Sequence, residues 1–287
     1  MSREEILQLA RIFVEEHGIT KIRITGGEPL VRQDVSEIVG DLARLPAKLG
    51  LTTNALSLHK YIDPLWDAGL RNINVSLDTL DPQRFLEIAR RDGLPQVIRN
   101  IELALNKGFR IKINMVVMRG INDDEILKLV SMTKDHDLHV RFIEFMPFAG
   151  NGWGREKVFT YAEMLAVIAG GLPIEKLKDD PHSTAKAYRV IGWRGTFAVI
   201  STVTEPFCGD CDRLRITAEG RMRNCLFSRE ETDLLSALRN GEDVHALIRS
   251  NVHAKHKMLG GLPPFEFDQE KKITADLSKR PMVAIGG

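Results

Sequence analysis

Ile19-Thr20-Lys21-Ile22-Arg23-Ile24-Thr25-Gly26-Gly27-Glu28-Pro29 is the stretch on which the reading of the fold turns. Its first seven residues are rich in β-branched side chains, as a short strand is, and the Gly-Gly pair with the following proline ends that strand in a loop. Upstream, Ser2 and Glu5 form a capping box, and Ile6, Leu9, Ala10, Phe13 and Val14 recur at helical spacing until Gly18 stops the helix. Downstream, Asp34 caps a helix to about residue 45, and residues 49–53 form the next strand. The rhythm continues with a helix at 59–68, a strand at 72–78, helices at 81–89 and 96–107, a strand at 110–118, a helix at 123–135 and a strand at 139–145. Strands alternating with helices imply a parallel sheet with right-handed crossovers, an α/β chain. Such sheets carry their chemistry at the carboxyl ends of the strands. There stand Gly26-Gly27-Glu28, Thr52-Thr53-Asn54, Ser76-Leu77-Asp78, Lys112-Ile113-Asn114 and Glu144-Phe145-Met146.

The chain has 287 residues, 43% hydrophobic and 28% charged, with a net charge of +1. That balance fits a soluble globular protein and gives no bulk attraction to nucleic acid or to a membrane, so any anion site must be local. No apolar run is long enough to span a bilayer, and the cysteine usage fits a reducing compartment, which we read as the cytoplasm. The glycine-rich Ala149-Gly150-Asn151-Gly152-Trp153-Gly154 marks a domain boundary, dividing the chain into 1–148 and 149–287. Beyond it the pattern gives a helix at 160–168, a hairpin of 187–191 with 196–201, and helices at 231–238 and 243–252.

All three cysteines fall in one C-x2-C-x13-C pattern, Cys208, Cys211 and Cys225. Two thiolates two residues apart can face one centre from a single turn, and a hairpin through Glu219-Gly220 returns the third. Three thiolates leave a tetrahedral metal incomplete, so either a fourth protein ligand lies elsewhere or a position stays open for substrate. Zinc with three cysteines and a distant histidine, and an iron–sulfur cluster, are both compatible with the pattern. Arg213, Arg215, Arg221 and Arg223 crowd the same hairpin and make it anion-seeking. The carboxylates show no acid/base pair readable from spacing.

Ile24-Thr25-Gly26-Gly27-Glu28-Pro29 resembles the GGEP signature of radical S-adenosylmethionine enzymes. With Asn74-Val75-Ser76-Leu77-Asp78, Arg141-Phe142-Ile143-Glu144-Phe145-Met146, the cysteine spacing, Arg213-Leu214-Arg215 and the terminal Gly286-Gly287, the whole chain is similar to the GTP 3',8-cyclase family of molybdenum cofactor biosynthesis. The resemblance implies an incomplete TIM-like (β/α) barrel of the radical S-adenosylmethionine type and a C-terminal α+β domain whose three cysteines hold a second 4Fe-4S cluster. It further implies that Gly27, Ser76 and Met146 contact S-adenosylmethionine, and that Arg23, Thr52, Lys112, Arg213 and Arg215 contact GTP. The Gly-Gly tail reaches into the site in that family, and the product passes to cyclic pyranopterin monophosphate synthase. A homodimer fits the class. One departure stands out: the family's first 4Fe-4S cluster is held by a C-x3-C-x2-C loop, and no cysteine precedes Cys208. The expectation is an N-terminally truncated barrel. The alternatives are a non-catalytic GTP-binding iron–sulfur protein and a zinc protein with a three-cysteine site.

Overall fold

The computed structural model describes residues 1–261 and 280–285. The capping box opens α1 (Arg3–Arg11), Ser2 N donating to Glu5 at 2.6 Å and Glu5 N to Ser2 Oγ at 3.3 Å. The last turn widens into a π-helical segment, Ile12–Glu16, where the sequence pattern implied an unbroken α-helix. Phe13 and Val14 in this segment are both buried, but in different apolar clusters.

Five parallel strands follow in spatial as well as chain order: β1 (Lys21–Ile24), β2 (Lys48–Thr53), β3 (Asn72–Ser76), β4 (Arg110–Val117) and β5 (His139–Glu144). Their crossovers carry α2 (Val35–Leu42), α3 (Ile62–Asp67), α4 (Pro82–Ala89), α5 (Leu94–Lys107) and α6 (Ile126–Ser131). Two of these are shorter than their periodicity suggests. Short 3-10 turns, Leu58–Lys60 and Asp123–Glu125, take up the start of each. In the second turn the cause is visible: the Glu125 carboxylate is drawn inward to accept Thr79 Oγ1 at 2.5 Å and Leu80 N at 2.6 Å.

After α7 (Tyr161–Gly171) come β6 (Ile174–Lys176), β7 (Lys186–Val190) and β8 (Thr196–Ile200). The expected hairpin is present as β7 and β8, but β8 also lies parallel beside β5. One mixed sheet of eight strands results, in the order β1-β2-β3-β4-β5-β8-β7-β6. The result is an α/β fold with a mixed sheet of partial-barrel type. Sequence periodicity could not show β8 joining β5, because register between distant strands is set by matching faces rather than by local pattern.

The faces decide where the site can be. On β4, Ile111, Ile113, Met115 and Val117 are buried, whereas Lys112, Asn114 and Val116 on the other face are half-buried. On β5, Val140, Phe142 and Glu144 are buried, and His139, Arg141 and Ile143 alternate with them. The apolar face packs with Leu51, Ile73, Val75, Val97 and Ile101 into the main core. Truncating a fully buried leucine such as Leu51 in such a core costs about 2–5 kcal/mol.

The cysteine hairpin builds a second, small antiparallel sheet from β9 (Arg215–Ile216), β10 (Arg221–Arg223) and β11 (Thr232–Asp233). Gly220 makes its turn at φ +77°, where a Cβ would also collide with Leu235. α8 (Leu234–Asn240) and α9 (Val244–His253) cover the sheet, and Met222, Leu234, Val244 and Ile248 pack against Leu9 and Phe13 of the N-terminal helix. The N-terminal helix and the small antiparallel sheet with its two helices thus share one apolar cluster.

Candidate functional site

Period-two alternation puts one row of polar side chains on the open face of the sheet. Lys21 and Arg23 project from β1, and Thr52 from β2. Asn74 and Ser76 follow on β3, Lys112 and Asn114 on β4, and His139 and Arg141 on β5. The ladder brings them side by side: Thr52 pairs with Asn74, Asn74 with Lys112, Lys112 with His139, and Asn114 with both Ser76 and Arg141. Asn74 Nδ2 donates to Thr52 Oγ1 at 3.2 Å. His139 Nδ1 lies 2.7 Å from Thr196 Oγ1.

Cations gathered without direct ion-pair contacts perturb one another. Burial pushes Lys112 down to about 8, helped by Arg141, Lys21 and Arg23. Burial holds Arg141 down at about 9, with Arg23 adding to it. His139 is driven to about 3 by burial and then by Lys112 and Arg141, so it is neutral at physiological pH. Lys21 and Arg23 are lowered by the same two causes, with Arg213 the neighbour that acts on Arg23. Arg23 is open to solvent yet feels this desolvation, as a side chain in a concave mouth does. Among the described residues no carboxylate pairs with Lys21, Arg23, Lys112 or Arg141, and Arg141 Nε and Nη2 and Asn114 Oδ1 are buried with no hydrogen-bond partner. Orphaned buried donors are rare and costly. A polyanion of phosphate groups would satisfy donors and charges together.

Arg213 and Arg215 extend the row from the cysteine segment. Arg213 lies over the Phe207 ring, 5.0 Å from its centroid, and Arg215 is lowered to about 10 by burial and then by Arg213. Four of the five residues expected to meet GTP (Arg23, Lys112, Arg213 and Arg215) therefore share one electrostatic neighbourhood, and Thr52 stands two strands from Lys112 on the same face. Lys21 and Arg141 belong to it as well. Their signal was in the sequence, since each stands two residues from another basic side chain on a strand, Lys21 from Arg23 and Arg141 from His139.

The three residues expected to contact S-adenosylmethionine lie at the carboxyl ends of alternate strands. Ser76 ends β3 and is exposed. Gly27 is exposed in the loop after β1, with open space where a Cβ would stand. Met146 is half-buried after β5 and packs on the apolar cluster that includes Phe148 and Phe227. The carboxylates nearby serve as staples. Glu28 accepts Leu30 N, Thr53 Oγ1 and Asn54 N at 3.0, 2.7 and 2.7 Å, tying the first two loops together. Glu144, fully buried, accepts Tyr161 N at 2.9 Å, Val203 N at 2.7 Å, Thr204 N at 3.0 Å and also Thr204 Oγ1. Burial lifts Asp78 to about 6 although Val116 N donates to it at 2.8 Å.

The expected iron–sulfur ligation is not found. Among the described residues no group of three His, Cys, Asp or Glu side chains is placed to hold a metal, and Cys208, Cys211 and Cys225 are free thiols. Their neighbours are of another kind. Cys208 Sγ accepts Leu259 N at 3.4 Å, and Cys208 and Cys225 pack on the apolar cluster of Phe148, Phe227 and Ile285. Burial raises Cys211, but hydrogen bonds from Arg213 and the charges of Arg213 and Lys255 bring it below the ordinary thiol value. The expectation of a three-cysteine cluster, iron–sulfur or zinc, is corrected accordingly. The terminal Gly286-Gly287 lie outside the described residues.

Two family patterns match the chain, the Radical SAM superfamily over residues 1–133 and Molybdenum Cofactor Synthesis C over residues 138–259. Molybdenum cofactor biosynthesis protein 1 of Drosophila melanogaster is 45% identical over 271 residues, covering 92% of this chain and 48% of that protein. The mitochondrial GTP 3',8-cyclase of Arabidopsis thaliana is 40% identical over 294 residues, covering 100% of this chain and 73% of that protein. The chain spans about half the length of the animal relatives it matches. Among solved structures, SuiB of Streptococcus suis superposes with a TM-score of 0.62 at 14% identity, over 89% of this chain and 61% of that one, a likeness of fold. The plant relative's mitochondrial name overturns the cytoplasmic expectation, since free thiols and a near-neutral charge suit any reducing compartment. No helix among the described residues is long and apolar enough to cross a membrane.

Proposed function

The chain belongs to the GTP 3',8-cyclase family of molybdenum cofactor biosynthesis, within the radical S-adenosylmethionine superfamily, and from that premise we propose that it forms the substrate-binding body of a GTP 3',8-cyclase. The reaction converts GTP to (8S)-3',8-cyclo-7,8-dihydroguanosine 5'-triphosphate. Loss of the C3' hydrogen, closure of the C3'–C8 bond with C8 keeping its hydrogen, and gain of one proton at N7 with one electron from the external reductant leave the product an isomer of GTP. The observation that carries the reading is the row of unpaired cations on the open face of the sheet, with Arg141 Nε and Nη2 orphaned within it.

In this reading Lys21, Arg23, Lys112 and Arg141 clamp the triphosphate. Arg213 and Arg215 approach it from the cysteine segment, and Thr52 and Asn74 supply neutral hydrogen bonds. Guanidinium forks suit phosphate oxygens geometrically, and fixing the triphosphate fixes the ribose at its other end. Gly27, Ser76 and Met146 would receive S-adenosylmethionine, whose chemistry when bound is the supply of a deoxyadenosyl group that takes hydrogen from the ribose. His139, kept neutral, holds its place beside Lys112 without adding charge. The division at residue 148 then separates the part offering S-adenosylmethionine contacts from the part carrying Arg213 and Arg215. Cyclic pyranopterin monophosphate synthase would consume the product.

The test is anaerobic incubation of the full protein containing this chain with GTP, S-adenosylmethionine and a reductant, followed by mass spectrometry. An isomer of GTP appearing together with 5'-deoxyadenosine supports the assignment. GTP recovered unchanged from protein that binds S-adenosylmethionine and cleaves it would overturn it.

A further inference from the structure

The arginines of β10 are not used by the proposed substrate site. Arg221 and Arg223 stand two apart on one face of the small sheet, the face that also carries Arg215, which pairs in register with Arg223. With Ser228, Arg229, Glu231 and Arg280 they line a cavity of about 280 Å3. Four guanidinium groups thus share one cavity with a single carboxylate in its wall.

That carboxylate is already committed. Glu231 receives Arg223 at 3.1 Å and Arg280 at 3.0 Å, so one negative charge is divided between two positive ones. Arg280 also reaches Glu219 at 2.7 Å, and Arg221 stands 3.6 Å from Asp233. Arg229 is exposed and has no ion-pair partner among the described residues. Arg223 is 2% exposed, and its Nε is buried without a hydrogen-bond acceptor. A buried guanidinium with an unmet donor, in a cavity carrying excess positive charge, is a built setting for an oxyanion.

We propose that this cavity is a second anion site, taking a phosphate-sized dianion between Arg229, Arg221 and Arg280. It is separate from the open face of the large sheet, yet one strand from Arg215. An anion bound here offsets the positive charge of Arg223 and so the repulsion that Arg223 exerts on Arg215.

The experiment is calorimetric titration of the full chain with inorganic phosphate. A Lys21→Ala/Arg23→Ala/Lys112→Ala/Arg141→Ala protein removes the cations of the large sheet, so that phosphate held there is lost and only the cavity remains. That protein should still bind one phosphate. Adding Arg229→Glu, a change at an exposed position, should weaken the remaining binding at least about tenfold, as losing a charge-assisted contact and gaining repulsion would. Thermal melts of each variant confirm folding. Absence of phosphate binding in the quadruple variant, or binding unchanged by Arg229→Glu, overturns the proposal. Neither result depends on whether GTP is the substrate.

Discussion

Arg141→Met separates stability from binding more sharply than any other change at this site. A guanidinium stays protonated at any physiological pH, so its depressed pKa measures the cost of keeping the charge where it is. The fall from the ordinary guanidinium value to about 9, at 1.36 kcal/mol for each tenfold change in proton affinity, sets an upper bound of about 5 kcal/mol on that cost. The sign follows from the cation: a pKa below the unfolded value penalises the folded state at every pH below about 9 and is relieved only above it. Water entering the open mouth and relaxation of the side chain reduce the penalty, and the lost stem packing is largely kept by methionine. We expect the nucleotide-free variant to be more stable by about 1–3 kcal/mol, raising Tm by roughly 2–4 °C for each kcal/mol in a chain of this size. GTP binding should weaken by about 2–3 kcal/mol, the worth of a charged hydrogen-bonded contact. Urea and thermal unfolding at pH 7.5 without nucleotide, and calorimetric GTP titration, give the two numbers. A variant that is less stable than the parent, or that binds GTP as well, would refute the reasoning.

Lys112, held at about 8 in the free protein, should be drawn back up by a bound triphosphate. GTP binding should therefore take up protons, be flat in affinity below about pH 7 and weaken as pH rises through 8, while Lys112→Met removes this dependence; calorimetry in buffers of different ionisation enthalpy reads the uptake directly. Glu144→Gln replaces an acceptor of four hydrogen bonds by a group that must turn an amide N–H toward donors, and should cost about 3 kcal/mol in urea unfolding. Gly220→Ala meets both a positive φ and Leu235 and should cost about 2 kcal/mol or more. Gly27→Ala has open space, so it should leave stability within about 0.5 kcal/mol and weaken S-adenosylmethionine binding, read by equilibrium dialysis.

Much of this was legible before any coordinates. The five parallel strands follow from β-branched runs set between capped helices, and local pattern suffices for them. Arg23 and Lys112 came from the family resemblance rather than from the strand pattern. What escaped was long-range: β8 joining β5, and the way Lys21, Arg141 and His139 fall beside Lys112 in the ladder, depend on register between strands far apart in the chain. The cysteines show the opposite failure. Their spacing invited a shared metal, but Cys211 turns to Arg213 and Lys255 while Cys208 takes Leu259 N, so spacing along the chain did not become convergence in space. The carboxylates at the strand ends misled less, because a buried Glu144 with four donors explains its place without chemistry.

The most direct test of the central claim is the affinity of the chain for GTP, GDP and guanosine compared at fixed salt and pH 7.5. If the unpaired cations on the open face are a triphosphate clamp, affinity should fall by at least about tenfold from GTP to GDP, consistent with loss of one charged contact, guanosine should bind weakest, and added salt should narrow the differences. Equal binding of guanosine and GTP, insensitive to salt, would contradict the account.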